Sequence, residues 1–307
     1  MKFSYTHLRR YPNIFKHLTG LTLDEFDILI ERISDLYEEY RYERLKRENR
    51  QRGFGGGDKP ELDRVHQLLV TVMWLRLYWT HELLGFFFGV SQPTISRYVS
   101  QLLPMLEAHG LDTMRTPIIS RKKRLSQLGQ ALQEVPELQL VIDSFEQKVQ
   151  RPKDKSEQGE WYSGKKRSHT VKSQVAVDTD IGQIVDISDS VTGRTADIKL
   201  LEQSGFLHDI PPETPVGGDL GYKGMDKLHP NAHTPRKKPR GKPRPPEDVA
   251  FNRQFSQKRI IVENSINRLR HYQSLDQTDR NHRQHHARRV RAVAGLVNLQ
   301  LQNRFGK

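Results

Sequence analysis

Three acidic residues lie where a metal-dependent reaction could be built. Asp143 follows the apolar run in "ELQLVIDSF", Asp219 follows a second short run in "TPVGGDLGYKG", and Glu263 lies in "ENSINRLR". We predict that the two aspartates end strands and that the glutamate lies on a helix. Carboxylates in such places can meet beside one sheet, and three oxygen donors suit a hard cation such as Mg²⁺ or Mn²⁺.

Two such ions, about 4 Å apart, can stabilise the attacking and leaving oxygens of a phosphodiester displacement. The chain has no Cys, which excludes disulfides, thiolate metal sites and a Cys nucleophile. Several other acids lie in the same region, and Asp is common in turns. These are Asp178, Asp180, Asp186, Asp189 and Asp197. The residues alone therefore leave the ligand set open.

The charge of the chain indicates a polyanionic partner. Its 50 Lys and Arg exceed its 37 Asp and Glu, for a net charge of +13. Nucleic acid and an anionic membrane surface would both fit. No apolar run is long enough to span a bilayer, and "MKFSYTHLRRYPNIF" lacks the apolar core of a signal peptide. We expect a cytoplasmic protein that binds nucleic acid and no membrane.

Residues 1–115 are predicted to form an all-α region that contains a helix-turn-helix at residues 80–106. Thr22 and Glu25 form a capping-box pattern ahead of one long helix. In the helix-turn-helix, a short helix over residues 82–88 meets a Gly-Val-Ser turn, and Ser91 can cap the second helix.

The second helix of a helix-turn-helix enters the major groove of DNA, and its N-terminal polar residues touch base edges. The apolar face is predicted to comprise Ile95, Val99, Leu102 and Leu106, which leaves Thr94, Arg97, Tyr98 and Gln101 on the outer face. We predict four residues as DNA contacts: Gln92, Thr94, Ser96 and Arg97. An ordinary helical hairpin is the alternative.

The rest of the chain divides by composition. Residues 116–135 form a basic linker, and residues 136–275 are predicted to form a mixed α/β domain because β-branched runs there alternate with helical pattern. A basic, Pro-rich loop over residues 229–247 interrupts this domain, since its prolines exclude a regular helix or a central strand. Residues 276–307 are predicted as a basic C-terminal helix.

Four segments together resemble the transposases of bacterial insertion sequences in the DDE superfamily, in the branch related to Harbinger-type elements. They are "LVIDSFEQKVQRP", "YSGKKRSHTVKSQVAVD", "GDLGYKG" and "FNRQFSQKRIIVENSINRLR". The resemblance runs from about Thr80 to Leu275. It implies an RNase H-like α/β catalytic domain, a mixed sheet flanked by helices, behind the helix-turn-helix domain. It also implies that Asp143, Asp219 and Glu263 are the catalytic, metal-binding triad, with two Mg²⁺ or Mn²⁺ ions.

The relatives carry a signature of Tyr, Arg, Glu and Lys around the glutamate. Arg259 and Glu263 match it, whereas Arg270 stands in place of Lys and Ser256 in place of Tyr. The resemblance further implies double-stranded DNA partners, namely terminal inverted repeats and target DNA, and a homo-oligomer on DNA. The implied reaction is cleavage at the element's ends followed by strand transfer.

Basic residues near the three acids are predicted to hold DNA phosphates. They are Lys165, Lys166, Arg167, Lys172, Lys223, Arg259 and Arg270, with the loop over residues 236–244 as a clamp. Two other functions remain open: a catalytically silent, transposase-derived DNA-binding regulator, and a nuclease that cuts without joining. The presence of all three acids favours an enzyme over the regulator.

Overall fold

The computed structural model describes residues 3–46, 59–114 and 138–305. The chain divides by its contacts into two compact units. The helical unit comprises residues 1–113, 270–277 and 288–307, and the sheet unit comprises residues 114–269 and 278–287. The predicted linker at residues 116–135 lies outside the described residues.

The helical unit begins with six helices, and four of them start at a Ser, Thr or Asp whose side chain caps the helix. In the third, Thr22 accepts the N–H of Glu25 while the Glu25 carboxylate accepts the N–H of Thr22, as the capping-box pattern predicts. The helices are α1 (Tyr5–Leu8), α2 (Pro12–Thr19), α3 (Leu23–Leu45), α4 (Arg64–Leu77), α5 (His81–Phe88) and α6 (Gln92–Thr113). The helix-turn-helix prediction is confirmed as α5 and α6, although α6 continues through Pro104 to Thr113.

The C-terminal helix packs within the helical unit. A Cβ on Gly295 would lie 2.6 Å from the Cα of Gly110 in α6, so the two backbones touch at this crossing. Arg288 donates to Glu107 at 2.8 Å beside it. The helix within the predicted segment 276–307 therefore packs on α6, the second helix of the helix-turn-helix.

Three further helices lie in or next to the sheet unit, and two complete the helical unit. They are α7 (Lys155–Trp161), α8 (Asp197–Ser204), α9 (Pro246–Arg270), α10 (Gln273–Asp276) and α11 (His286–Phe305). α8 ends at Ser204, because Gly205 adopts the left-handed conformation at φ 67°.

The sheet unit is built on a mixed sheet. Its strands are β1 (Leu140–Lys148), β2 (Tyr162–Ser163), β3 (Ser168–Asp178), β4 (Ile184–Ile187), β5 (Val191–Thr192), β6 (Val216–Gly218) and β7 (Ala232–His233). The order is β2-β3-β1-β6-β7, with β4 and β5 also paired to β3. β1 is antiparallel to β3 and parallel to β6. This architecture confirms the predicted mixed α/β class.

Two boundaries differ from the predictions. Asp143 does not end β1, because the polar residues after it stay paired with β3 as far as Lys148, opposite Thr170. The segment 229–247 is mostly irregular, as predicted, but it contains β7 and the first two residues of α9. Within it, the Arg236 guanidinium stacks 4.2 Å from the ring centroid of Phe251.

One face of the sheet is covered by an apolar core. Leu140 and Ile142 of β1 pack there with Leu201 of α8 and with Tyr222, and all are buried. The core fixes α8 and the turn after β6 against the middle of β1. Within the ranges described, no helix is long and apolar enough to cross a membrane.

Candidate active site

Asp143 lies in the middle of β1 and is held by two donors. Its Oδ1 accepts the backbone N–H of Ser144 at 2.8 Å, and its Oδ2 accepts a guanidinium N–H of Arg259 at 3.0 Å. The side chain of Asp143 is 19% exposed and that of Arg259 is 12% exposed, so the ion pair is largely shielded from water. The fold therefore brings together Asp143, a predicted metal ligand, and Arg259, a predicted phosphate-binding residue.

Asp219 follows β6, the parallel neighbour of β1. Ile142 pairs with Gly218 in the register, so the two aspartates come one residue after paired positions on adjacent strands. Asp219 caps the short turn that follows, where its Oδ1 accepts the N–H of Gly221 at 2.7 Å. The pairing of β1 and β6 thus places the first two predicted acids next to each other on adjacent strands.

A third carboxylate close to these two is that of Asp197, the first residue of α8. Its Oδ1 accepts the hydroxyl of Ser144 at 2.7 Å and the ammonium of Lys172 at 2.9 Å. Its Oδ2 lies against Gly221, where a Cβ would be 2.6 Å from it and 2.9 Å from Oδ1 of Asp219. The sequence shows Asp197 only as one of several acids, because the approach of α8 to β1 depends on tertiary packing.

Lys172 does not play the predicted role of a phosphate ligand. Its side chain is 8% exposed and its ammonium also donates to the carbonyl of Thr195 at 2.7 Å. Oε1 of Glu146, directly opposite on β1, lies 3.7 Å from it. Two acids and a carbonyl surround this ammonium, so the prediction that Lys172 holds a phosphate is wrong.

The cluster of acids disfavours negative charge. Burial raises the pKa of Asp143, and the carboxylates of Asp219 and Asp197 raise it further, while the Ser144 N–H and Arg259 oppose the rise. The pKa of Tyr222 lies well above its usual value for the same reasons, burial first and then the three aspartates. The hydroxyl of Ser144 lies beside that of Tyr222, opposes the rise and donates its own proton to Asp197.

Glu263 stands apart from the two aspartates in the described structure. It is exposed on α9, one helical turn after Arg259 and therefore on the same side of the helix. Across residues 3–46, 59–114 and 138–305, no three acidic or histidine side chains are close enough to hold a metal ion. The structure brings Asp143 and Asp219 together, and Glu263, one turn after Arg259 on α9, stays a predicted ligand.

The residues present nevertheless fit a hard divalent cation. The donors are carboxylate oxygens, which Mg²⁺ and Mn²⁺ prefer. The carboxylates of Asp143, Asp197 and Asp219 act on one another, and the basic groups paired with them are Arg259 and Lys172. A cation would offset the excess negative charge, although Arg259 would have to release Asp143 to admit it.

The remaining predicted phosphate contacts in the sheet unit are exposed. Lys165, Lys166 and Arg167 form the turn between β2 and β3, and Arg167 adopts a left-handed conformation at φ 50°. Lys223 is exposed after the Asp219 turn. Arg270 is the last residue of α9, is half-buried and belongs to the helical unit. These positions leave their DNA contacts as predictions.

The recognition helix corrects one of the four predicted DNA contacts. Thr94 is 2% exposed, and its hydroxyl donates to Glu61 at 2.9 Å while accepting from Arg97 at 3.0 Å. It faces inward because the helix turns it toward the segment before α4. Tyr98 is also buried, contrary to prediction. Gln92 and Arg97 are exposed and Ser96 is half-buried, so these three stay available to DNA.

Comparison with known protein families follows the same division of the chain. Residues 142–298, half of the chain, match the family model of the DDE superfamily endonucleases. This chain belongs to the DDE superfamily endonucleases. Residues 60–112 match the helix-turn-helix of the same superfamily. The mixed sheet flanked by helices is the RNase H-like arrangement expected of such an endonuclease, and it follows the helical helix-turn-helix region. Both matches imply DNA as a partner.

The chain is also similar to a curated relative. It is 29% identical over 245 residues to the "Probable transposase for insertion sequence element IS702" of Microchaete diplosiphon. The alignment covers 80% of this chain and 83% of the relative. The resemblance to insertion-sequence transposases is confirmed, while the Harbinger-related branch stays a prediction.

The charge of Asp143 should destabilise the metal-free endonuclease. Because its folded pKa is raised, the folded chain holds the proton more tightly than the unfolded chain, and deprotonation lowers the free energy of unfolding. Asp143→Asn should therefore raise this free energy at pH 7 in EDTA. The gain should disappear as the pH falls below 3.8, the ordinary value for Asp. Denaturant unfolding at both pH values measures it, with exposed Asp226→Asn as the control. A lower free energy of unfolding for Asp143→Asn at pH 7 would contradict the raised pKa of Asp143.

Because Thr94 is buried and Gln92 is exposed, substitutions at these two positions of α6 should have different effects: one on stability and the other on DNA affinity. Gln92→Ala should weaken binding to the terminal inverted repeat by about 1–3 kcal/mol if it reads a base, with stability unchanged. Thr94→Val should lower stability by about 1 kcal/mol and leave the affinity of the folded protein unchanged. Fluorescence anisotropy and thermal unfolding measure the two effects. The opposite pattern would mean that Thr94 is the residue that faces DNA.

Proposed function

We propose that the chain is the transposase of an insertion sequence, which cuts DNA at the element's ends and joins those ends to target DNA. The observation that carries the proposal is the placement of Asp143 and Asp219 one residue after paired positions on adjacent parallel strands of a DDE-family domain. The helix-turn-helix and the similarity to a protein named as a probable transposase support it.

The proposed reaction is two successive in-line displacements at phosphorus. A water first attacks the phosphodiester at the element's end, and the bond to the 3′ oxygen breaks to leave a 3′-OH. That hydroxyl then attacks a target phosphodiester, so one bond forms as another breaks and no covalent link to the protein is needed. Two divalent ions, Mg²⁺ or Mn²⁺, would stabilise charge on the attacking and leaving oxygens when bound.

The residues of the chain divide the remaining tasks. Asp143, Asp219 and Glu263 are the proposed cation ligands, with Glu263 approaching from α9. Arg259 holds Asp143 in the absence of cation and can turn to a phosphate oxygen once the cation takes its place, since its guanidinium suits either anion. The ion pair therefore keeps Asp143 oriented before the cation binds.

The proposed DNA contacts surround these acids. Lys165, Lys166 and Arg167 form an exposed basic turn, and Lys223 is exposed beside Asp219. Such contacts position the backbone without reading sequence. Gln92, Ser96 and Arg97 on the recognition helix are the proposed base contacts. Joining two ends requires two active sites, which supports a homo-oligomer on DNA.

The direct test is cleavage of a labelled terminal inverted repeat by full-length protein in Mg²⁺. Wild type should nick the DNA at the element's end, and Asp219→Ala should lower the rate by at least about 100-fold, because loss of a ligand removes more than the 10–100-fold lost with supporting residues. Gel electrophoresis of the labelled strand measures the rate, and joined products show strand transfer.

Asp226→Ala is the matched control, since Asp226 is an exposed acid of the same loop region. It should cut as wild type does. If Asp219→Ala cuts at the wild-type rate, the assignment of the acids is wrong. Binding of the repeat without any cutting by wild type would instead favour a silent DNA-binding regulator, and cutting without joining would favour a nuclease.

A further inference from the structure

We propose that Asp197 is a positioning residue that sets the separation of Asp143 and Asp219. The inference rests on the proposed function, because it concerns the same pair of acids. Asp197 touches the immediate neighbours of both: its Oδ1 accepts the hydroxyl of Ser144 at 2.7 Å, and its Oδ2 lies against Gly221. One carboxylate thus spans from β1 to the turn after β6.

The first contact fixes the strand. Ser144 follows Asp143 directly, and its backbone N–H is a ligand of the Asp143 carboxylate at 2.8 Å. A displacement of Ser144 would therefore change the orientation of Asp143. The hydroxyl of Ser144 has Asp197 as its acceptor, so α8 holds this residue from the side of the sheet that carries the apolar core.

The second contact limits the turn. A Cβ at position 221 would lie 2.6 Å from Oδ2 of Asp197 and 2.9 Å from Oδ1 of Asp219, so a larger residue there would force these carboxylates to move. The N–H of the same Gly221 donates to Asp219 at 2.7 Å. The position of Asp197 therefore determines how close the Asp219 turn can approach β1.

Asp197 is itself anchored from β3. The Lys172 ammonium donates to its Oδ1 at 2.9 Å and to the carbonyl of Thr195 at 2.7 Å. Glu146 lies opposite Lys172 and accepts the hydroxyl of Thr170 at 2.7 Å. The side chains of Lys172 and Glu146 are 8% and 7% exposed, so this anchor is shielded from water.

The buried hydroxyl of Tyr222 points to the same place. It is fully buried beside Ser144, and its pKa is raised first by burial and then by the charges of Asp197, Asp143 and Asp219. The three carboxylates therefore lie close enough together to act on one hydroxyl group.

The test measures binding of Mn²⁺ alone to full-length, DNA-free protein by electron paramagnetic resonance. Asp197→Ala should raise the dissociation constant about 10- to 100-fold, the usual effect of losing a supporting residue. Asp197→Asn keeps an acceptor oxygen for Ser144 and Lys172. Its Mn²⁺ dissociation constant should therefore stay within about threefold of the wild-type value, because the supporting contacts remain. Saturating Mn²⁺ should restore DNA cleavage by Asp197→Ala but not by Asp219→Ala.

Glu202→Ala is the matched control, because it removes an exposed acid from the same helix. If Asp197→Ala fails to fold, Gly221→Ala provides the second variant, since it keeps every carboxylate and pushes two of them apart. It should weaken Mn²⁺ binding, whereas Gly159→Ala, with open space at its Cβ, should not.

Wild-type Mn²⁺ affinity in both Asp197→Ala and Gly221→Ala would overturn the inference. An Asn variant as weak as the Ala variant would also overturn it, because the carboxylate would then act by its charge or as a ligand. The proposed function is tested separately by Asp219→Ala. If that variant binds Mn²⁺ as wild type does, the proposed metal site fails, whatever Asp197 does.

Discussion

The ion pair between Asp143 and Arg259 is the contact on which the candidate site depends. It joins the central strand β1 to helix α9 at 3.0 Å, and α9 also carries Glu263 one turn further on. A carboxylate buried in a sheet is costly unless it is paired. Arg259 supplies the pairing, yet its Nε is buried with no hydrogen-bond partner among the residues that the structure describes. An incompletely satisfied guanidinium suits a contact that exchanges one anion for another.

The surrounding structure concentrates negative charge where β1 and β6 run parallel. A parallel pair brings residues at equivalent positions to one edge, which places Asp219 beside Asp143. α8 adds Asp197, and Lys172 balances it from β3. The resulting deficit of positive charge is poor for stability and useful for binding a cation, a compromise common at functional sites.

The sequence predicted the architecture well because its signals are local. The capping box at Thr22, the stop at Gly205 and the apolar face of α6 each follow from spacing within a few residues. Predictions that needed tertiary contacts were less successful. Thr94 lies inward because Glu61, 33 residues away, accepts its hydroxyl. Lys172 pairs with acids that no local pattern connects to it.

The candidate site shows the same limit. Family motifs identify Asp143, Asp219 and Glu263 by position, but no sequence pattern ranks Asp197 above Asp186 or Asp189. What separates Asp197 is the packing of α8 on the sheet, which brings its carboxylate to Ser144 and Gly221. The exposed position of Glu263 was likewise not predicted. Helical spacing shows which side of α9 this residue occupies, but it does not give the distance from that side to β1.

The central claim is that Asp143 and Asp219 hold a divalent cation in place of Arg259. Anomalous diffraction from crystals of the protein grown with Mn²⁺ tests it most directly. The account predicts an anomalous peak within about 2.5 Å of a carboxylate oxygen of each aspartate, with Arg259 turned away from Asp143. A peak elsewhere, with Arg259 still bonded to Asp143, would contradict it.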